Sequence, residues 1–170
     1  MLADSAKENN LKKDSNARNG KVFLGPEIGF GDLGTFNAGL NVGYQYFFPK
    51  DIKATRPNIR HGIRGYANVS YLLYAHNKIF LNSLYAGGVI DYLLDFNAGN
   101  KYNWGLFVGA TFGYHNVFKP TKPNNTNITS GLYSGTHIGP SLTINDKHKI
   151  ELVLGYSKDD NFTIRYLVLF

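Results

Sequence analysis

Hydrophobic and polar residues alternate along most of the chain. The clearest case is residues 36–48, where every second position from Phe36 is apolar or aromatic. The positions between them, from Asn37 to Gln45, hold only asparagine, glycine and glutamine. A helix would mix these two sets because its side chains repeat every 3.6 residues, whereas a strand separates them. The pattern therefore predicts a β-strand with one apolar and one polar face.

The same alternation occurs in seven further segments, with no helical period between them. The predicted strands span residues 21–30, 36–48, 59–73, 80–96, 104–115, 132–144, 150–157 and 162–170. Glycine, asparagine and aspartate form turn signals between several of them. Consecutive strands joined by short turns pair antiparallel. The sequence thus predicts an all-β fold, an eight-stranded antiparallel up-and-down barrel.

Two prolines interrupt this pattern. Pro26 lies inside the first predicted strand and Pro140 inside the sixth. Proline cannot donate to a strand ladder, and a closed barrel has no free edge on which to place it. We therefore expect a bulge or a bend at each proline.

The apolar face decides between a soluble and a membrane barrel. Mean hydropathy is −0.25, and no run approaches the roughly 20 apolar residues of a membrane helix. A membrane barrel instead turns alternate apolar residues outward, with aromatic girdles at both interfaces and a polar interior. Here the aromatic residues cluster near the strand ends. The predicted girdle consists of Tyr46, Phe48, Phe96, Trp104, Tyr114, Tyr156 and Phe170. We expect a transmembrane β-barrel of a bacterial outer membrane.

The remaining features of the composition restrict the class of protein to which the chain can belong. The chain contains no cysteine, which excludes a disulfide framework and thiol catalysis. The formal charge of +6 comes from scattered residues without a basic helix, so nucleic acid is not an expected partner. Residues 1–19 are polar and without period, which predicts a flexible tail ahead of a barrel spanning residues 20–170. Residues 1–20 lack the apolar stretch of a secretory signal, so we expect the export signal to be absent from this sequence.

Charged residues fall on the polar face and so point into the predicted lumen. The lumen charge network consists of Glu27, Arg60, Arg64, Asp91, Glu151 and Arg165. With Lys21 and Asp95 added, four acids meet four bases. Unpaired buried charges are strongly destabilising, so we expect mutual pairing rather than a pore lining. For Lys21 and Asp95, contact with water at a rim is at least as well supported.

Two histidines are predicted to face the lumen from neighbouring strands, where they could meet. A metal pair or a proton-linked gate at His115 and His137 is conceivable, but a hydrogen-bonded lumen pair is favoured. No carboxylate or third ligand stands at ligand spacing, so we expect no metal and no cofactor. The other three histidines, at or near strand ends, are expected to be solvated. They are His61, His76 and His148.

The last strand ends in Phe170, with apolar residues at every second position before it. This end resembles the C-terminal signature that bacterial outer-membrane proteins present to the barrel-assembly machinery. Residues 43–48 (GYQYFF) and 61–66 (HGIRGY) resemble the strand–turn–strand signature of the Helicobacter outer membrane protein family. Further segments that resemble the family are residues 92–96, 103–109 and 148–152. The resemblance implies an outer-membrane barrel.

The sequence departs from many adhesins of that family, which carry a large extracellular domain after the first strand. Only residues 31–35 occupy that place here. The resemblance therefore does not extend to an adhesin's binding activity.

Three functions are compatible with these features. The first is a non-enzymatic membrane scaffold whose loop, residues 116–130, contacts host or envelope molecules. The second is a narrow channel for ions or small solutes, disfavoured because eight-stranded lumens are packed with side chains. The third is a lipid A-modifying enzyme, for which Ser83, His76 and His115 stand near the predicted outer rim. The expected partners are outer-membrane lipid and lipopolysaccharide, the barrel-assembly machinery and a host surface ligand.

Overall fold

The strands close into a single barrel. The computed structural model describes residues 19–31, 34–49, 59–76, 79–96, 100–118, 130–156 and 161–170. The strands are β1 (Gly20–Gly31), β2 (Thr35–Phe47), β3 (Ile59–His76), β4 (Ile79–Phe96), β5 (Tyr102–Phe118), β6 (Gly131–Ile144), β7 (His148–Tyr156) and β8 (Asn161–Leu169). Each strand pairs antiparallel with the next, and β8 pairs with β1. The all-β, eight-stranded antiparallel barrel predicted from the sequence is confirmed.

The two ends of the barrel differ. One end, here called the terminal end, carries Gly20, Phe170 and the tight turn at residues 145–147. The opposite end, here called the loop end, carries the connections between β1 and β2, β3 and β4, β5 and β6, and β7 and β8. In the described parts of the chain, no helix is long and apolar enough to cross a membrane. Residues 1–18, predicted to be a flexible tail, lie outside the described residues.

Side chains alternate between the wall's outer surface and the lumen, as the period of two requires. In β1, alternate positions from Phe23 to Gly29 are buried, and those between them are exposed. The outward positions carry large apolar side chains: Leu40 is 60% exposed and Ile90 is 61% exposed. Inward positions of the same strands include Asn41 and Asp91, both almost completely buried. The polarity is that of a membrane barrel, apolar outside and polar within.

Neither internal proline causes a bulge. Pro26 pairs with Leu40 in an unbroken β1–β2 register, and Pro140 pairs with Leu106 in β5–β6. On the opposite side of each strand, where β1 pairs with β8 and β6 with β7, the proline and the glycine before it are unpaired. The pairing continues beyond them in the same register. No residue is inserted, so of the predicted bulge or bend the bulge is wrong. A residue in an antiparallel strand donates its N–H to only one neighbour, so the missing donor interrupts one ladder alone.

A glycine precedes each proline, and the neighbouring strand approaches it closely. A Cβ built on Gly25 would lie 1.8 Å from the carbonyl oxygen of Tyr166, and one on Gly139 would lie 1.7 Å from that of Leu152. No larger residue fits such a distance, so each Gly-Pro pair fixes a close contact between strands. These two contacts, here called the Gly-Pro seams, join β1 to β8 and β6 to β7.

Candidate functional site

Buried charged side chains lie in the lumen, and Arg64 lies at the centre of this group. Arg64 on β3 and Asp91 on β4 are direct cross-strand partners, which places both side chains at one level of the barrel. The Arg64 Nε donates to Asp91 Oδ2 at 2.8 Å, and Nη2 donates to the same oxygen. Nη1 reaches across the lumen to Glu151 Oε1 on β7 at 2.6 Å. All three side chains are fully buried.

The ion pairs continue from Glu151 to β1. Glu151 and Arg165 are cross-strand partners, and so are Arg165 and Glu27. Arg165 Nη1 donates to Glu151 Oε2 at 3.2 Å, and Arg165 Nε donates to Glu27 Oε2 at 3.1 Å. The chain of alternating charges is Asp91, Arg64, Glu151, Arg165 and Glu27, here called the central network. It crosses the lumen from β4 to β1 by way of β3, β7 and β8.

Neutral side chains complete the hydrogen bonding of Glu27. Asn41 donates to its Oε2 at 3.0 Å, Asn68 to Oε1 at 2.8 Å and Ser70 to Oε1 at 3.0 Å. These three residues occupy polar-face positions of β2 and β3 and are almost completely buried. A buried carboxylate is tolerated when it is paired and its oxygens accept such bonds.

Lys149 was missing from the predicted network. Its Nζ lies 3.6 Å from Glu151 Oε1, and its side chain is buried. The signal was present in the sequence, because Lys149 stands two residues before Glu151 and therefore on the same face of β7. With it, three bases face the three acids of the network.

Arg60 forms a separate pair nearer the terminal end. Arg60 Nη2 donates to Asp95 Oδ2 at 3.1 Å, and Asn103 donates to the same oxygen at 3.0 Å. Asp95 is only 2% exposed, so its expected contact with water at a rim is wrong. Arg60 itself packs over the Phe47 ring at 4.5 Å and is 27% exposed. Lys21 is half-buried and donates to the backbone oxygen of Asp146.

Apolar side chains also fill the lumen, which the alternation did not predict. Phe23, Leu93, Phe107 and Leu167 are almost completely buried, and we call them the apolar plug. The Arg64 guanidinium lies 5.6 Å from the Phe23 ring centre and 5.3 Å from that of Phe107. Contacts of this kind between a guanidinium and an aromatic face are attractive.

The two lumen histidines do not meet. His137 lies at the level of Gly109 on β5, whereas His115 lies six residues further along the same strand. At about 3.4 Å per residue this is a separation of roughly 20 Å. His137 Nε2 instead bonds Asp91 Oδ1 at 2.7 Å. The prediction of a histidine pair is wrong, because the register of β5 and β6 offsets the two residues.

Glycine makes room for the His137–Asp91 bond. A Cβ on Gly109 would lie 2.0 Å from Asp91 Oδ1 and 2.8 Å from His137 Nε2. Where the chain is described, no group of three histidine, cysteine or acidic side chains is placed to hold a metal ion.

Most of the predicted girdle residues are exposed on the outer wall. Phe48, Phe96, Trp104 and Phe170 lie at the terminal end and range from 36% to 64% exposed. Tyr46 lies beside Phe48, with the two rings edge to face at 5.9 Å. Tyr114, 50% exposed, lies nearer the loop end. The backbone of Tyr156 pairs with Thr136, but its side chain lies outside the described residues.

Two exposed histidines of the terminal end also bond to tyrosines on the neighbouring strand. His61 Nδ1 lies 2.8 Å from the Tyr92 hydroxyl, and His148 Nδ1 lies 2.6 Å from the Tyr166 hydroxyl. The side chain of His76 lies outside the described residues.

Cavities flank the central network on both sides. The loop-end cavity, about 150 Å³, is lined by Glu27 and Arg165 of the network and by His115 and Tyr133 further out. The terminal-end cavity, about 340 Å³, is lined by Lys21, Gln45, Phe47, Arg60, Asp95 and neighbouring residues. The apolar plug and the central network lie between the two. The structure therefore shows a blocked lumen with a recess at each end.

Comparison with known proteins gives a family and a fold. The family model described as Helicobacter outer membrane protein matches residues 39–153. A search of curated proteins gives no match. Among solved structures, the outer membrane enzyme PagL is similar at 14% identity and a TM-score of 0.55, over 86% of this chain and 98% of that chain. Ail, the attachment invasion locus protein of Yersinia pestis, is 16% identical with a TM-score of 0.47, over 88% and 94%.

Proposed function

The chain belongs to the Helicobacter outer membrane protein family and lies in the bacterial outer membrane, and from this premise we propose that it is a non-enzymatic, non-conducting scaffold. Its loop end would present residues 116–130 to host or envelope molecules. In the proposed orientation, the terminal end of the barrel faces the periplasm and the loop end faces the cell surface.

The blocked lumen is the observation that supports this proposal. Arg64, Asp91 and Glu151 are fully buried and joined by ion pairs across the barrel. Phe23 and Leu167, both 0% exposed, pack in the same interior. An ion passing this level would have to separate buried ion pairs, each of which costs several kcal/mol to break. The interior of an eight-stranded barrel is just wide enough to be filled in this way.

Planar-bilayer recording tests the absence of conduction. The protein is refolded in detergent, and insertion is checked by heat-modifiable migration on a gel. We expect no steady unitary openings from inserted wild-type protein. Steady openings that disappear when the lumen is filled further, for example by Thr111→Phe in a variant that still folds, would show a channel and remove the scaffold proposal.

A lipid-modifying enzyme is the rival with a chemical basis. The likeness to PagL supports only the fold at 14% identity. Ser83 is buried, and His115 Nε2 makes no hydrogen bond to any described residue, which favours the scaffold over the enzyme. Mass spectrometry of lipid A from cells with and without the protein decides the matter. We expect identical lipid A, and a lost acyl chain would overturn the non-enzymatic proposal.

The proposed contact surface is the loop between β5 and β6. Residues 119–129 lie outside the described residues, but both ends of the loop are fixed. Ser130 Oγ accepts a bond from the Val117 amide at 2.9 Å and donates to Asn116 Oδ1 at 3.2 Å. Leu132 beside it is 93% exposed, the most exposed large apolar side chain of the described residues.

Replacing the loop tests this surface. Residues 119–129 are exchanged for a short Asn-Gly turn, which joins antiparallel strands well. We expect the barrel to keep its heat-modifiable migration while cells carrying it lose adhesion to host cells or to envelope components. Leu132→Ser, with the loop intact, gives a finer measure of the same surface. Adhesion unchanged in both variants would remove the loop from the proposed function.

Outer-membrane lipid, lipopolysaccharide and the barrel-assembly machinery are the proposed partners of the wall. The aromatic residues of the terminal end provide an interfacial girdle of the kind that sits at lipid headgroups. Lys119 and Lys122, proposed to meet lipopolysaccharide phosphates, lie outside the described residues. The C-terminal strand β8 would be the segment that the assembly machinery recognises.

A further inference from the structure

The loop-end cavity has the features of a binding site that the scaffold role does not use. It extends from the central network toward the loop end, and its wall includes Glu27, Tyr66, Tyr85, His115 and Arg165. We propose that it binds a small, neutral, polyhydroxylated solute, at most one sugar ring in size.

Buried polar atoms without partners point to a ligand. Among the described residues, Asn37 Oδ1, Tyr66 Oη and His115 Nε2 are buried and make no hydrogen bond. All three side chains line this cavity. Asn37 is 7% exposed and Tyr66 is 6% exposed. An unsatisfied buried polar group costs about 1–3 kcal/mol, so a molecule that supplies the missing bonds is favoured.

The charges of the wall disfavour an ionic ligand. Glu27 and Arg165 pair with each other at 3.1 Å. The remaining bonds of Glu27 go to Asn41, Asn68 and Ser70. A net charge brought into this site would meet no uncompensated opposite charge, and it would lose its own hydration. The site therefore favours a neutral molecule.

The other lining groups fit hydroxyls and carbon–hydrogen faces. The Tyr85 hydroxyl bonds Thr111 Oγ1 at 2.7 Å, and the Tyr85 and Tyr133 rings lie edge to face at 5.5 Å. Phenolic hydroxyls both donate and accept, as sugar hydroxyls do. Aromatic surfaces combined with a few placed polar groups are the usual composition of small-molecule sites. Polyols present the matching combination.

The size of the cavity limits the ligand. A volume of about 150 Å³ is that of a cavity which elsewhere holds one benzene ring. A triol or tetritol fits entirely, and one sugar ring is the upper limit. The central network closes the cavity on the terminal side, so the solute enters from the loop end.

Saturation-transfer NMR measures such binding directly. The full chain is refolded in lauryldimethylamine oxide, because detergents with sugar headgroups would compete. The neutral probes are glycerol, erythritol, methyl glucoside and methyl galactoside, and glycerol phosphate serves as the charged comparison. We expect saturable transfer to at least one neutral probe and weaker binding of glycerol phosphate.

Two substitutions locate the site. Tyr66→Phe removes one unpartnered hydroxyl and keeps the ring that packs against Arg64 and Arg165. We expect it to weaken binding about fivefold, the effect of one hydrogen bond. Thr111→Phe fills the cavity and abolishes binding. The matched control, Tyr102→Phe, alters a hydroxyl on the outer wall, where Tyr102 is 50% exposed, and leaves binding unchanged.

Each remaining outcome overturns the proposal. Absence of transfer to every neutral probe from folded wild-type protein removes the site. Equal affinity in wild type and in Tyr66→Phe and Thr111→Phe, with all three folded by heat-modifiable migration, places binding elsewhere. Tighter binding of glycerol phosphate than of glycerol removes the neutral class. Bilayer conductance is a separate measurement, so failure here leaves the scaffold proposal standing.

Discussion

At the scale of single residues, Arg64 and Arg60 occupy different environments although both pair with an aspartate. The side chain of Arg64 is 0% exposed and bridges Asp91 and Glu151, whereas that of Arg60 is 27% exposed and pairs with Asp95 alone. A buried charge is stabilised only by its partners, because water cannot reach it. Removing the base therefore has unequal consequences at the two positions.

Arg64→Met keeps most of the side-chain volume. It leaves Asp91 without an arginine or lysine partner and removes one of the three bases around Glu151. We expect the free energy of unfolding to fall by about 3–5 kcal/mol, as measured by urea titration of protein refolded in lipid vesicles. The matched variant Arg60→Met should lose about 1 kcal/mol, since its partner keeps a bond from Asn103. Equal losses at the two positions would contradict the central role given to Arg64.

At the scale of strands, the apolar outer face can be tested by a charge placed at different heights. Ile90 is 61% exposed near the middle of β4, and Tyr102 is 50% exposed at the start of β5. We expect Ile90→Arg to reduce stability by about 2–4 kcal/mol and Tyr102→Arg by at most about 1 kcal/mol. The measurement is again unfolding from lipid vesicles. In a soluble protein without surrounding lipid, there would be no reason for Ile90→Arg to cost more stability than Tyr102→Arg.

The Gly-Pro seams give a second test at this scale. Gly25→Ala would place a Cβ 1.8 Å from the Tyr166 carbonyl oxygen, whereas a Cβ on Gly65 meets nothing within 4 Å. We expect Gly25→Ala to destabilise the barrel by about 1–3 kcal/mol, because strand β1 or β8 must shift. Gly65→Ala should lie within about 0.5 kcal/mol of wild type. If Gly25→Ala leaves the free energy of unfolding unchanged, the seam is not close-packed.

The sequence was sufficient to predict the strands and their faces, but not the apolar side chains that fill the lumen. Polar inward residues such as Glu151 stand out because their neighbours along the strand are apolar. Phe23 and Phe107 do not, since each lies between two apolar residues and breaks the alternation that reveals a face. Their inward direction follows from the parity of the whole strand, fixed by more distant positions.

Contacts across the lumen could not be predicted from the sequence, for a different reason. Arg64 meets Glu151 from a strand that is not its neighbour, and the bond depends on how the wall curves and how each ladder is offset. The same offset separates His115 from His137. Periodicity gives the side of the wall on which a residue lies. It does not give the level at which two residues meet.

At the scale of the whole molecule, closure depends on the pairing of the last strand with the first. The Phe170 amide donates to the Val22 carbonyl oxygen at 2.9 Å, and its ring is 64% exposed. Removing Phe170 alone deletes one hydrogen bond at the terminal end, which is worth about 1 kcal/mol.

Deletion of Phe170 therefore separates folding from assembly in cells. We expect the shortened protein to refold in detergent with wild-type yield, measured by heat-modifiable migration. In cells we expect a marked loss of barrel from the outer membrane fraction, since the proposed assembly signal is its terminal aromatic residue. Wild-type amounts in that fraction would remove the assembly machinery as a partner of this residue.

The Gly-Pro seams lie on both sides of the β7–β8 hairpin, whose own ladder is continuous from His148 to Leu154. Each boundary of this hairpin thus lacks two consecutive pairings that every other boundary retains. In a native-state hydrogen–deuterium exchange experiment, the hairpin would take up label as a unit before the long β3–β5 wall. For the same reason, the hairpin would be the last part of the barrel to pair during folding. The barrel would then close when the preformed hairpin enters between β6 and β1.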